Sequence, residues 1–232
     1  MFRRLKYSLG GMRSNYKSTW NRLAWTEAKA KDAVSGFQSE DLYREAAQAT
    51  LGMLQTCVGI HSDDVVLEIG AGVGRVGAML APLCKEWIGS DVSENMVRHM
   101  RRRLAAHSNV RAVTTNGYDL SPIASQSVDL VYCTVVFMHL EEFERYGYVA
   151  EGFRVLKPGG RMLVDNVNLM SDEGWEFFQN QRKLPVHRRP PHISHTSTPQ
   201  ELETYFRRAG FVDIGQIQPG LWIVTYGRKP AG

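Results

Sequence analysis

The amino-acid sequence predicts an α/β fold: a doubly wound, seven-stranded, mostly parallel sheet with a C-terminal antiparallel hairpin and an N-terminal helical cap. Three observations predict it. Short apolar runs alternate with amphipathic segments from residue 65 onward. The first run ends in a cluster of glycines. The last two runs are joined only by Gln218-Pro219-Gly220, a turn-forming connection too short for a crossover.

The elements follow in order. Residues 18–31 and 39–58 read as helices, with Ser18 and Ser39 as N-caps and Gly36 between them. Val65-Val66-Leu67-Glu68-Ile69 reads as a buried strand and residues 75–83 as the helix after it. Residues 86–90 form a second strand ending at Asp91. A helix over 94–106 places Met96, Met100 and Leu104 at i, i+4 and i+8, one apolar stripe. Residues 109–115 and 128–136 are the third and fourth strands, 141–155 a helix, and 161–167 the fifth strand. Such alternation implies a parallel sheet covered on both faces. Residues 199–209 form a helix with Thr198 as N-cap and Pro199 in its first turn. Residues 211–217 and 221–226 are the hairpin. An irregular basic stretch, residues 180–197, carries Arg182, Lys183, Arg188, Arg189 and three histidines. A loop of that length in a compact domain is often functional.

Composition narrows the classes. The 232 residues are 43% hydrophobic and 22% charged, values of a soluble globular protein rather than a disordered, collagen-like or disulfide-stapled chain. The 28 basic and 24 acidic residues leave a net charge of +4, too small to argue for nucleic acid. Cys57, Cys84 and Cys133 stand alone, with no CxxC and no zinc-site spacing, so each is expected to pack as a small apolar residue in a reducing, cytoplasmic compartment. The longest apolar run, residues 130–138, is far short of the ~20 residues a membrane helix needs. Residues 1–26 carry Arg3, Arg4, Lys6, Arg13, Lys17 and Arg22 and no acid. A transit peptide and a basic arm share that composition; Trp20 and Trp25, read as packing residues, favour the arm. The expected organisation is a basic arm and helical cap over residues 1–60 and an α/β domain over 61–232, with a substrate-covering insertion near 168–197.

The chemical signal is the segment from Glu68 to Gly77. A strand runs into Gly70-Ala71-Gly72-Val73-Gly74, where glycines let the backbone turn sharply and approach a ligand closely. Asp91 ends the next strand, 21 residues beyond Gly70, where a carboxylate can accept hydrogen bonds from both ribose hydroxyls of a nucleoside. Two readings compete. Gly72-Val73-Gly74-Arg75-Val76-Gly77 satisfies GxGxxG, which would make the chain an NAD(P)-dependent oxidoreductase. Glu68-x-Gly70-x-Gly72-x-Gly74 instead resembles motif I of the class I S-adenosylmethionine-dependent methyltransferases, a Rossmann-like superfamily. Glu68 inside the strand, and the late position of the second set of glycines, favour the methyltransferase reading.

That resemblance extends over about residues 60–165. Residues 87–96, with Asp91 and Met96, resemble the family's second motif; the resemblance implies ribose binding by Asp91 and packing on adenine by Met96. Residues 115–120 are similar to the segment after the third strand, which gives Asn116 and Gly117 a place beside adenine, Asn116 standing where an Asp is usual. Thr134, at the end of the fourth strand, would face the methionine part of the cofactor. Leu156-Lys157-Pro158-Gly159-Gly160 resembles a structural turn before the fifth strand. The implied cofactor is S-adenosyl-L-methionine, contacted by Glu68, Gly70, Ala71, Gly72, Gly74, Asp91, Val92, Met96, Asn116, Gly117 and Thr134.

Methyl transfer needs alignment and exclusion of water more than acid–base chemistry. His139, just past the fourth strand, is the candidate base or substrate partner. Tyr16, Trp20 and His195 are candidate substrate-binding residues. Asp165-Asn166 resembles the metal-binding pair of catechol-type O-methyltransferases, but residues 134–138 hold no acid, so no metal is expected. The expected activity is methyl transfer to an oxygen or nitrogen of a small-molecule acceptor, anionic or sugar-like in view of the basic loop, with no membrane or nucleic-acid partner. Besides the oxidoreductase, a catalytically idle nucleoside-binding protein of the same fold is the alternative.

Overall fold

The computed structural model describes residues 16–35 and 39–232. Gly36 and the basic residues Arg3, Arg4, Lys6 and Arg13 lie outside the described residues. The cap is three helices, α1 (Tyr16–Leu23), α2 (Glu27–Ser35) and α3 (Glu40–Cys57). The single helix expected over 18–31 is therefore two. They part at Ala24, a buried residue whose carbonyl accepts from His99 Nε2 at 3.1 Å. Ser18 lies within α1 rather than at its N-cap. Ser39 holds the N-cap position of α3 in extended backbone, without a side-chain cap bond. Trp25 is 72% exposed and does not pack as expected.

The α/β domain begins with β1 (Val65–Ile69). The helix after it, α4 (Gly77–Leu80), is shorter than the sequence suggests and runs into a 3-10 turn at Ala81–Leu83. Gly74 is left-handed (φ 77°), so helical backbone starts only beyond it. Next come β2 (Glu86–Asp91), α5 (Glu94–Arg103), β3 (Val110–Thr114), β4 (Val128–Cys133) and α6 (Glu142–Val155). The sequence extends β4 to residue 136, but Val135 adopts φ 60° and turns the chain out of the sheet. β5 (Leu156–Asn168) starts earlier than expected: Leu156 already pairs with Val128, and a register shift absorbs the glycine turn before Arg161 pairs with Leu130.

α7 (Asp172–Arg182) occupies a stretch the sequence left without structure, its first turn capped by Ser171 Oγ accepting from Gly174 N at 3.1 Å. A two-residue strand, β6 (Thr196–Ser197), precedes α8 (Pro199–Ala209), β7 (Val212–Ile217) and β8 (Trp222–Arg228). Thr198 Oγ1 accepts from Glu201 N at 3.2 Å, the cap the sequence predicts.

The sheet order is β3-β2-β1-β4-β5-β8-β7, with β6 added to β5. The first five strands in that order run parallel, and β8 and β7 close the edge antiparallel. The order reverses between β1 and β4, and open α/β sheets bind ligands at such a switch point, beyond the carboxyl ends of the strands. Each face has its own apolar core. Leu67 and Val131 look toward Val149 and Phe206, from α6 and α8. Val66 and Leu130 look toward Leu54, Leu80 and Met100, from α3, α4 and α5. A third cluster joins Ala24, Ala30 and Tyr43 of the cap to Val73 and Met96, so the cap sits over the β1 and β2 loops. Among the described residues, no helix is long and apolar enough to cross a membrane.

Candidate functional site

The β1 loop and the tip of β2 form one hydrogen-bonded unit. Gly70 (φ 72°) and Gly72 (φ 55°) take left-handed backbone. A Cβ at Gly70 would lie 2.3 Å from Val136 Cγ2, and one at Gly72 2.8 Å from Val34 Cγ2, so only glycine fits at either position. Ala71 N donates to Ser90 O at 2.9 Å, and Ser90 Oγ donates to Glu68 O at 2.9 Å. Asp91 Oδ2 accepts from Gly72 N at 2.9 Å, and Oδ1 from Ser93 N at 2.8 Å. Burial pushes Asp91 up to about 6, although the amides of Ser93, Gly72 and Val92 oppose that shift.

Glu68 projects from β1 into the buried wall of the cleft, and burial pushes its carboxyl up to about 7. The Tyr132 hydroxyl, which donates to Glu68 Oε2, and the nearby Arg75 cation pull it back. Tyr132 in turn accepts from Trp87 Nε1 at 3.2 Å. Arg75 is buried beside the cleft, its guanidinium 5.8 Å from the Tyr43 ring. Its Nε and Nη1 have no hydrogen-bond partner among the described residues. A buried guanidinium with unmet donors is costly unless a ligand supplies acceptors.

The cap closes the cleft from the other side. Asn21 accepts through Oδ1 from Ser93 Oγ (2.9 Å) and Asn95 N (3.2 Å), and its carbonyl accepts from Asn95 Nδ2 (2.8 Å). Lys17 pairs with Glu94 at 2.7 Å. These contacts dock α1 on the N-terminus of α5 and bring Tyr16 and Trp20 into the cleft wall. Trp20 meets the His139 ring edge-on at 5.0 Å and the His192 ring at 5.9 Å. His139 Nδ1 lies 2.9 Å from His192 O. A carbonyl only accepts, so Nδ1 carries the proton and neutral His139 keeps a bare lone pair on Nε2. Burial pushes His139 down to about 4, so it is neutral at physiological pH.

The cleft lining unites Tyr16, Trp20, Glu68, Gly70, Ala71 and Gly72 with Asp91, Val92, Met96, Gly117, Thr134 and His139. Three residues singled out in the sequence lie elsewhere. A Cβ on Gly74 would meet Leu104 and Met100, so that glycine serves helix packing. Asn116 Oδ1 accepts from Tyr118 N and Asp119 N, both at 3.0 Å, which spends the oxygen on a turn. His195 is exposed and lines a different cavity. Asp165 Oδ1 accepts from Val135 N at 2.6 Å and holds that left-handed residue in place, while Asn166 Nδ2 donates to Ser197 Oγ at 2.7 Å. The two side chains thus serve separate partners. Sequence reasoning missed Arg75, Val34 and Tyr148 in the lining. For Arg75 the signal was present: a long cation directly after the glycines of a strand-to-helix turn.

Residues 66–160 match a family model described as a methyltransferase domain. Over 148 residues the chain is 28% identical to a demethylmenaquinone methyltransferase of Tropheryma whipplei (strain Twist), covering 64% of this chain and 57% of that protein. Over 151 residues it is 31% identical to a malonyl-[acyl-carrier protein] O-methyltransferase of Methylococcus capsulatus, covering 64% and 52%. The chain thus spans little more than half the length of these relatives. Its fold is similar to that of magnesium protoporphyrin IX methyltransferase from Synechocystis PCC 6803, solved with bound S-adenosylhomocysteine, with a TM-score of 0.65 and 15% identity over 94% of this chain and 97% of that one.

Proposed function

From the place of this chain among the S-adenosylmethionine-dependent methyltransferases of Rossmann-like fold, we propose that it transfers a methyl group to an oxygen or nitrogen of a small-molecule acceptor. The observation that carries the reading is the Asp91 carboxylate, fixed by the amides of Gly72 and Ser93 at the rim of a glycine-lined cleft. The residues fit the cofactor in kind. Asp91 offers acceptors for ribose hydroxyls, and the Cβ-free loop at Gly70 and Gly72 lets an adenosyl group approach the backbone. Glu68 suits an ammonium, and the unmet donors of Arg75 suit a carboxylate. When bound, S-adenosylmethionine supplies a sulfonium methyl already activated for displacement.

The chain's own residues then do three things. The loop and Asp91 fix position, which is most of what such a displacement requires. Tyr16, Trp20 and Val34 of the cap exclude water from the cleft. His139 accepts a hydrogen bond at Nε2 from the acceptor's O–H or N–H and takes the proton as the nucleophile is methylated. With its pKa near 4, His139 is a weak base, suited to a nucleophile that releases its proton readily during transfer.

The first test is calorimetry with S-adenosylhomocysteine against NADH. Micromolar or tighter binding of the former, with none of the latter, is expected; the reverse pattern discards the reading. Labelled-methyl transfer across a metabolite extract then identifies the acceptor. With that acceptor, His139→Ala is expected to lower turnover about 10²-fold, leaving S-adenosylhomocysteine affinity within about twofold. His139→Gln, which restores an acceptor atom, should recover part of the loss. Because His139 is neutral above about 4, its contribution stays constant from pH 6 to 8 and fails only as pH falls toward 4. A His139-dependent inflection near pH 6.5 would contradict this assignment.

A further inference from the structure

A second cavity, of about 430 Å³, lies beside the cleft and shares none of its lining residues. That size suits a small-molecule group. Its walls are the first turn of α6 with Glu142 and Arg145, the C-terminal end of α7 with Phe178 and Arg182, and the strap of residues 189–196 with Arg189. The strap serves both spaces. His192 O accepts a hydrogen bond from His139 Nδ1, and His195 N donates to Met138 O at 2.6 Å, so one side of the strap orders the cleft wall. Arg189, Ser194, His195 and Thr196 of the same strap line the second cavity.

Arg145 is the unusual residue. It is 2% exposed and lies in the cavity wall. Its Nε donates to Phe137 O (2.9 Å), and its Nη1 to Ser197 Oγ (2.8 Å), Thr196 O (3.2 Å) and Glu201 Oε1 (3.1 Å). All four bonds leave from Nε and Nη1, so Nη2 is uncommitted among the described residues. Among the described residues, Arg182 engages only Gln179 through Nη1, and Arg189 only Leu184 O through Nε. Three guanidinium groups therefore keep spare donors around one half-open cavity, an arrangement that suits an oxyanion. Glu141, at the N-cap of α6, and Glu142, in its first turn, put two carboxylates in the same lining and add acceptors for hydroxyl or amino donors.

We infer that this cavity is the head-group subsite of the acceptor and takes an oxyanion, phosphate or carboxylate, between Arg145, Arg182 and Arg189. The inference rests on the methyltransferase reading for its claim that the ligand is the acceptor. The head group sits on one side of the strap, and the atom to be methylated reaches His139 on the other. Arg182 and Arg189 are specificity-determining, whereas Arg145 also holds the strap to α6.

The test titrates inorganic phosphate, and separately acetate, into the full chain by calorimetry at constant ionic strength balanced with chloride. Arg182 and Arg189 are exposed, so the double variant R182Q/R189Q is expected to fold. Saturable binding of phosphate or acetate to the parent chain, weakened about tenfold or more in the variant, is expected. The tighter of the two probes names the anion class. S-adenosylhomocysteine should bind both proteins equally. Absence of saturable oxyanion binding, or equal binding by the variant, overturns the inference. If S-adenosylhomocysteine binds and the oxyanions do not, the inference fails and the methyltransferase reading stands. If the oxyanions bind and S-adenosylhomocysteine does not, the cavity is an oxyanion site but its assignment to a methyl acceptor falls.

Discussion

Replacing Asp91 by Ala is expected to weaken S-adenosylhomocysteine binding at least ~100-fold, because hydrogen bonds to a charged acceptor contribute about 1.5–3 kcal/mol each and two are lost. The same change frees the amides of Gly72 and Ser93, which the Asp91 carboxylate holds at 2.9 and 2.8 Å. Asp91→Asn keeps one acceptor for those amides and should lose about tenfold. The parent protein supplies a second readout through pH. Burial raises Asp91 to about 6 and Glu68 to about 7 in the ligand-free chain. A ligand that hydrogen-bonds to the carboxylates favours their ionised forms. Above pH 7 it binds without displacing protons. As pH falls through 7 and then 6, a proton must leave on binding, so affinity declines, up to about tenfold per unit for each group. In Asp91→Asn the component near 6 should vanish. Neutralising Asp91 also removes a desolvated charge, so the Asn variant should melt no lower than the parent at pH 7.5. Calorimetry from pH 5.5 to 8 checks all of this. Affinity of Asp91→Ala within threefold of the parent would exclude Asp91 from the cofactor site.

Gly70→Ala should carry the largest stability cost in the cleft. Gly70 has φ 72°, where an L-residue costs about 1–2 kcal/mol. Its added Cβ would stand 2.3 Å from Val136 Cγ2, and overpacking of that kind costs about 1–3 kcal/mol more. Each kcal/mol shifts the melting temperature of a chain this size by about 2–4 °C, so a fall of about 10 °C is expected by calorimetric melting. The pairing with Val136→Ala separates the two causes. It should relieve the clash and leave the backbone strain, recovering about half the loss. Full recovery would mean the left-handed backbone at Gly70 is not required. Cofactor affinity should drop in both variants, since the Cβ occupies the surface on which the loop meets its ligand.

Much of the fold was legible because the signals are local. Strands β1 to β3 and helix α8 fall within one residue of their expected bounds, since apolar periodicity, the Thr198 cap and the glycine loop act between near neighbours. α7 escaped because Gly174, Gln179 and Asn180 dilute its apolar pattern, and its start depends on Ser171 and the underlying β5. The bend between α1 and α2 escaped because its cause, His99 on α5, lies 75 residues away.

The site divides along the same line. The amino-acid sequence alone determined the glycine loop, Glu68 at the end of β1 and Asp91 at the end of β2, because a strand that ends in glycine and a strand that ends in a carboxylate need only their own spacing to be recognised. Tertiary structure alone decided that Asn116 turns inward to its own loop, that His195 leaves the cleft while His139 stays, and that Arg145 gathers bonds from Phe137, Thr196, Ser197 and Glu201. The physical reason is burial. Water is excluded only when elements distant in the chain pack together, and a polar group's partners, charge and accessible face are settled at that moment rather than by its neighbours in sequence.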